Sequence, residues 1–175
     1  MQHKKTPPGL RPFLATDAPR LLALVQASVE TLAEDYYDDD QRAAWAAQFG
    51  DADILAARLG GVLALVAILE GQIVGFASLK DGETLDMLYV HPQFARRGVG
   101  GALVDALEKL AAARGAEAIS TDASDAAREF FARRGYTAQR RNTVQLAGEW
   151  LGNTSMTKRL AAGDLFQAAE TGRPQ

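Results

Sequence analysis

No cysteine occurs among the 175 residues of this sequence. That excludes a disulfide framework, a thiolate metal site and a cysteine nucleophile, and it is compatible with a reducing, cytoplasmic setting. Histidine is almost as scarce. His3 and His91 are the two present, too few for a histidine-rich metal site, so no metal is expected. A basic surplus is missing too: 19 Lys and Arg face 22 Asp and Glu, a net charge of −3. A general nucleic-acid binder would carry the opposite balance. No apolar run approaches the ~18 residues of a membrane span. Neither nucleic acid nor membrane is therefore an expected partner. The opening MQHKKTPPG is charged but has no apolar segment after it, unlike a secretory signal.

What is present has the length of about one domain, enough to bury roughly 70% of the unfolded surface. Residues 1–9 read as a flexible leader, 10–160 as a single domain and 161–175 as a weakly patterned tail. LRPFLA (10–15) reads as a strand, and Thr16 or Asp17 as the cap of a helix with Leu21, Leu24, Val25, Ser28, Val29 and Leu32 at helical spacing. After the acidic break EDYYDDD (34–40), helices are predicted over 41–49 and 51–59, ending at Gly60-Gly61. The pattern then turns to strands at 62–69, 73–80 and 83–90, joined by short turns as in an antiparallel meander. From Gly98 the period is helical again, with Val99, Ala102, Leu103, Ala106, Leu107 and Leu110 on one face. A strand at 116–123 follows, parallel to 83–90 because a helix joins them. Ser124 or Asp125 is placed to cap a helix that stops at Gly135, and 136–148 with 149–160 forms a closing hairpin. The class is α+β with a mixed sheet and one parallel crossover.

The stretch VHPQFARRGVGGALVDALEKL (90–110) sets arginines and glycines between a strand and a helix. The first N–H groups of a helix lack partners within it, and the helix dipole adds positive character there. Glycines let an anion approach the backbone, and Arg96 and Arg97 add charge-assisted donors. A phosphate or pyrophosphate suits this turn. A P-loop is absent, and GxGxxG fails because Leu103 stands at its last glycine. A coenzyme A loop and a plain tight turn remain.

The residues Ala95-Arg96-Arg97-Gly98-Val99-Gly100 resemble the [Q/R]-x-x-G-x-[G/A] motif of the GNAT superfamily of N-acetyltransferases, with Ala95 at the leading position. The preceding LDMLYVHP resembles the same family. So do Ala127, Phe130, Phe131, Gly135 and Tyr136, which meet its A-x-x-F-[FY]-x-x-x-G-[FY] pattern. The order β-α-α-β-β-β-α-β-α-β-β agrees with the family over about residues 10–160. The resemblance implies a GNAT-type fold: a mixed seven-stranded sheet flanked by four to five helices, its central parallel strands splayed. It implies acetyl-CoA as acyl donor, bound by Met87, Leu88, Tyr89 and Val90 along the strand. The pyrophosphate would rest on Arg96, Arg97, Gly98, Val99, Gly100, Gly101 and Ala102, with Ser124, Ala127, Phe130 and Phe131 on the far side. Packing in the core is an equal reading for the two phenylalanines.

Acetyl transfer to an amine requires a neutral amine, donors for the oxyanion and a proton for the departing thiolate. The resemblance implies a backbone N–H near Leu88 as oxyanion donor. The family's usual tyrosine is replaced by Phe131, which has no proton to give; a water or another tyrosine can serve, Tyr89 and Tyr136 being weak candidates, with burial in a strand as their competing reading. Asp86, between Leu85 and Met87, is the candidate base. Strict alternation sets Leu85, Met87 and Tyr89 on one face and Asp86, Leu88 and Val90 on the other. A carboxylate in so apolar a strand reads as a buried group with a raised pKa, or as a structural carboxylate bonded to an arginine or to backbone. Asp122 is second choice, with helix capping as its alternative.

Tyr36, Tyr37 and Trp45, beside Asp38-Asp39-Asp40, are candidates for receiving a cationic or aromatic amine, joined by Asn153, Met156 and Trp150 from the last strand. A solvated acidic loop is the plainer reading of the aspartates. The acceptor is a small-molecule or peptide amine, and edge strands with the tail can support a homodimer. The expected function is an acetyl-CoA-dependent N-acetyltransferase working by direct attack in a ternary complex. An acyl-CoA-binding domain without catalysis and a module for another nucleotide are the alternatives.

Overall fold

A computed structural model of the chain describes residues 6–161. Most of the expected leader and tail, residues 1–5 and 162–175, lies outside the described residues. Seven strands form one sheet in the order β1-β2-β3-β4-β5-β7-β6. They are β1 (Gly9–Pro12), β2 (Leu63–Leu69), β3 (Gln72–Lys80), β4 (Thr84–Val90), β5 (Ala118–Ser124), β6 (Thr137–Leu146) and β7 (Glu149–Arg159). The helices are α1 (Ala18–Leu32), α2 (Asp39–Ala47), α3 (Ala52–Gly60), α4 (Val99–Ala113) and α5 (Arg128–Arg133). None of the described helices is long and apolar enough to cross a membrane.

The meander of β2 to β4 forms as the turns require: Glu70-Gly71 and Asp81-Gly82 take positive φ, and each closes an antiparallel pair. One face of the sheet carries α4. Its buried stripe of Val99, Leu103, Val104 and Leu107 meets Ala77, Leu79, Leu85, Ile119, Phe131 and Met156. Gly75 permits this close seat, because a Cβ there would come within 2.9 Å of Val99. The other face carries α1 and α3, with Leu21, Leu24, Val25, Leu55 and Leu59 against Val66, Phe76 and Met87. Fully burying each such side chain contributes about 1.5–3 kcal/mol, so the two layers clamp the sheet from both sides.

Several boundaries differ from the sequence expectation. β1 stops at Pro12 rather than residue 15, although Phe13 N still donates to Ala64 O at 3.0 Å. Asp17 does not cap α1. Its carboxylate is taken by Arg11, at 2.7 and 2.9 Å, and by the Leu14 N–H, and the guanidinium holds its pKa down. Asp38 is instead the residue that caps α2, accepting from Gln41 N at 2.8 Å while the Gln41 side chain accepts from Asp38 N, a reciprocal cap. The helix therefore starts two residues earlier than 41, with Asp39 and Asp40 in its first turn. Neither Ser124 nor Asp125 caps α5. Ser124 is the last residue of β5, paired with Asn153, and Asp125 is claimed by Arg141.

Candidate active site

β4 and β5 run parallel, yet their ladder holds a single residue pair, Thr84 with Ser120. Ser120 N donates to Glu83 O at 3.0 Å, and Thr121 Oγ1 to Leu85 O at 3.0 Å. Beyond that the strands diverge. The parting coincides with an irregularity where β3 pairs with β4. Ser78 faces Met87 and Leu79 faces Leu85, leaving Asp86 unopposed; this is a β-bulge, a feature that re-aims a strand. The bulge also breaks the expected alternation. Leu85 packs with Leu88 and Val90 on the α4 face, while Met87 and Tyr89 pack on the α1 face. Strict period two placed Leu85 with Met87 and Tyr89; the extra residue shifts the phase.

The same shift turns the backbone. His91 N bonds Val74 O at 2.8 Å, so period two directs the N–H and C=O of Tyr89 and Met87 toward β3. Those of Leu88 and Val90 face the open side. There they look into a cleft of about 490 Å³.

The cleft collects most of the predicted residues. Asp86, Met87, Leu88, Tyr89 and Val90 line it from β4, Asp122 and Ser124 from β5, and Ala127, Phe130 and Phe131 from the α5 segment. Gly100, Tyr37, Trp45 and Asn153 complete it from α4, the α1–α2 connection, α2 and β7. Tyr36, by contrast, is 54% exposed and outside the lining. Trp150 is exposed and Met156 lies in the core. Tyr136 is also buried away from the cleft. Its hydroxyl donates to Glu108 Oε1 at 3.0 Å, and burial, then the Glu108 carboxylate, push its pKa well up.

At the α4 end, Arg96 and Gly98 both take left-handed backbone, with φ of 59° and 85°. Gly98 sits at the helix start, and nothing lies within 4 Å of where its Cβ would be. The first helical bond is Ala102 N to Gly98 O, so the N–H groups of Val99, Gly100 and Gly101 precede the intrahelical ladder. Val99 contributes backbone alone, its side chain being buried. Arg97 is held by Glu70 at 2.8 Å and lies over Phe94. Arg134, unremarked in the sequence, reaches the Gly101 carbonyl at 3.3 Å and pairs with Asp105.

At the other end, Asp86 is exposed rather than buried. Its carboxylate meets Arg58 Nη2 at 3.3 Å, with side chains 28% and 40% exposed. A pair so wet is worth at most about 1 kcal/mol, so a ligand can replace it. Arg58 also lies 5.6 Å from the Phe49 ring. Only the tertiary fold brings α3 to β4, which is why sequence reading missed Arg58, and with it Gln48 and Thr121 in the lining. Asp122 accepts from Ser155 Oγ at 2.7 Å. Tyr37 Oη donates to Gly152 O at 2.6 Å and accepts from Asp125 N at 2.9 Å. Tyr89 Oη accepts from Trp45 Nε1 at 3.0 Å, and burial raises its pKa strongly.

The cleft thus lies between an opened parallel pair, with a glycine-rich helix start at one end and a charged, aromatic wall at the other. The chain belongs to the GNAT acetyltransferase family, whose domain model, "Acetyltransferase (GNAT) domain", matches residues 32–160. It is 32% identical over 147 residues to the uncharacterized N-acetyltransferase YafP of Escherichia coli, covering 84% of this chain and 93% of that protein. The crystal structure of the "GCN5-Related N-acetyltransferase: Aminotransferase, Class-II" from Rhodopseudomonas palustris is 53% identical, with a TM-score of 0.88 over 91% of this chain and all of that one. The fold is shared with PaiA N-acetyltransferase from Thermoplasma acidophilum in complex with coenzyme A, at 15% identity and a TM-score of 0.72, over 88% and 99% of the two chains. It is shared also with YncA from Salmonella typhimurium with its cofactor acetyl-CoA, at 22% and 0.60, over 91% and 97%.

Proposed function

We propose that this protein transfers the acetyl group of acetyl-CoA to an amine by direct attack, with both substrates in the cleft at once. The observation that carries the reading is the open edge of β4, where the peptide groups of Leu88 and Val90 face a cleft that Gly100 also lines. The residues present fit the donor. The N–H groups of residues 99–101 and the open Gly98 corner suit a diphosphate, with Arg96 and Arg97 adjoining. The exposed strand edge suits the amide-bearing pantetheine arm, which pairs with it as an added strand would. That PaiA and YncA share this fold and hold CoA or acetyl-CoA supports the reading.

Acetyl-CoA supplies a thioester carbonyl open to attack. The Leu88 N–H donates to the carbonyl oxygen as negative charge builds there. Asp86 accepts the proton of the acceptor ammonium, directly or through water, since an alkyl amine with pKa near ~10 is otherwise charged at neutral pH. As the amine nitrogen bonds the acetyl carbon and the C–S bond breaks, Tyr89 gives its proton to the departing thiolate and takes back the surplus proton of the acylated nitrogen, directly or through water, so that it ends protonated. Of the four tyrosines, Tyr36 and Tyr136 do not line the cleft, and Tyr37 donates its proton to Gly152. Tyr89 accepts from Trp45, so its own proton is not used in that bond.

The test is calorimetric titration with acetyl-CoA, ATP and NAD, followed by CoA release with a panel of amines. Acetyl-CoA is expected to bind in preference to the other two and to be consumed with at least one amine. Binding without turnover by any amine would make the protein an acyl-CoA-binding domain, and preference for ATP or NAD would overturn the donor assignment.

A further inference from the structure

We infer that the acceptor is a zwitterion with its carboxylate beside its amine, an α-amino acid with an apolar side chain, and that Arg58 is the residue that selects it; this rests on the acetyl-transfer reading above. The acceptor end of the cleft contains a cation. Arg58 and Asp86 both line it, joined by one contact at 3.3 Å. A guanidinium has five N–H donors in a planar fork that matches a carboxylate in two parallel bonds. A single long contact to Asp86 leaves that capacity largely unused, and the guanidinium carbon lies 5.6 Å from the Phe49 ring centre.

Charge balance narrows the class. The Arg58–Asp86 pair is neutral, so it complements a ligand that is itself neutral overall and carries both signs. A polyamine or aminoglycoside would bring further cations toward Arg58. In an α-amino acid, amine and carboxylate share one carbon, so their separation matches two protein groups already in contact. The exchange replaces one wet ion pair by two charge-assisted ones, ammonium on Asp86 and carboxylate on Arg58. The wall beside the pair is apolar and aromatic, formed by Val29, Trp45 and Phe49, which suits an apolar side chain. A peptide N-terminus lacks the adjacent carboxylate and leaves Arg58 unmatched.

The experiment compares matched acceptors in the CoA-release assay: L-phenylalanine and L-leucine, their carboxamides, phenethylamine and spermidine, then the remaining amino acids. Calorimetric binding of each acceptor to the CoA-loaded protein runs in parallel. The amine of a carboxamide is the less basic of the two, so intrinsic reactivity favours the amide; preference for the acid reports recognition. We expect kcat/KM for the acid to exceed that of the amide by about tenfold or more, the scale of a charge-assisted hydrogen bond. Arg58→Gln should lower kcat/KM for the acid by about tenfold more than for the amide, the difference lying in KM. Arg58→Lys should recover part of the acid's loss. Equal use of acid and amide, an equal loss of both in Arg58→Gln, or no amino acid bound or turned over overturns the proposal. Acetyl-CoA affinity, measured separately, tells such a failure from failure of the donor assignment.

Discussion

The hydroxyl of Thr121 donates to the carbonyl of Leu85 at 3.0 Å, one residue past the single pair that joins β4 to β5. It is a side-chain bond where a ladder bond would otherwise stand, and it is buried, with Thr121 5% exposed. The bulge at Asp86 follows at once. This contact closes the base of the cleft and lets everything above it stay open.

Replacing Thr121 by Val keeps the shape and removes the donor. The Leu85 carbonyl loses its partner in a buried place, which costs about 1–3 kcal/mol. Urea unfolding should show that loss, with Thr121→Ser restoring most of it. A Val variant as stable as the parent would show that the bond does not hold the strands.

Gly100 offers a graded test of the donor cradle. A Cβ there would lie 3.5 Å from Phe130 and 3.7 Å from Val90, ordinary contact distances. Gly100→Ala should therefore fold normally, whereas Gly100→Leu should fill the cleft mouth and abolish acetyl-CoA binding in calorimetry. Gly98→Ala acts differently: at φ 85° a side chain costs about 1–2 kcal/mol of strain, visible as a lower urea midpoint. Retained acetyl-CoA affinity in Gly100→Leu would count against the cradle.

Asp86→Asn should lower kcat by roughly 100-fold, the scale of a lost general base, with acetyl-CoA affinity nearly unchanged. Steady-state kinetics from pH 6 to 9 beside donor titration checks this. Turnover unchanged across that range removes Asp86 from the chemistry.

The two tyrosines should separate cleanly. Tyr89→Phe is expected to lower kcat on the order of tenfold to a hundredfold, the modest end of acid catalysis, because thiols with pKa near ~8.5 leave readily. Tyr136→Phe should leave kcat alone and cost about 1 kcal/mol through its bond to Glu108. Reversal of that order refutes the assignment.

Alkaline pH gives an independent reading of Tyr136. Its pKa is raised in the folded chain, so above the free tyrosine value near ~10 the unfolded chain loses this proton first. Stability tied to it is full below that pH and falls as pH climbs beyond it. Urea midpoints between pH 9 and 11 should fall less steeply in Tyr136→Phe than in the parent protein. Identical slopes would mean the hydroxyl is not held as described.

Much of the fold was legible because its signals are local. The short apolar runs of β2 to β4 are joined by glycine turns, and the stripe from Val99 to Leu107 repeats at helical spacing. The glycines at 98 and 100, set between a strand end and that stripe, marked the start of α4 from residue order alone, and Gly100 lines the cleft. What sequence could not show depends on residues far apart in the chain. The bulge at Asp86 exists because β3 pairs with β4 out of step, and it alone decides that Leu88 and Val90 face the gap. Asp86 looked buried among apolar neighbours, but divergence of the strands opens it to solvent and to Arg58, 28 residues earlier. Tyr89 and Tyr136 are equivalent as letters; packing gives one a place in the cleft with Trp45 and ties the other to Glu108. Local periodicity sets the elements, because each is a short-range preference of the backbone and its side-chain spacing. Which groups meet in the cleft is decided by how the strands pair and part, and that is a property of the assembled sheet.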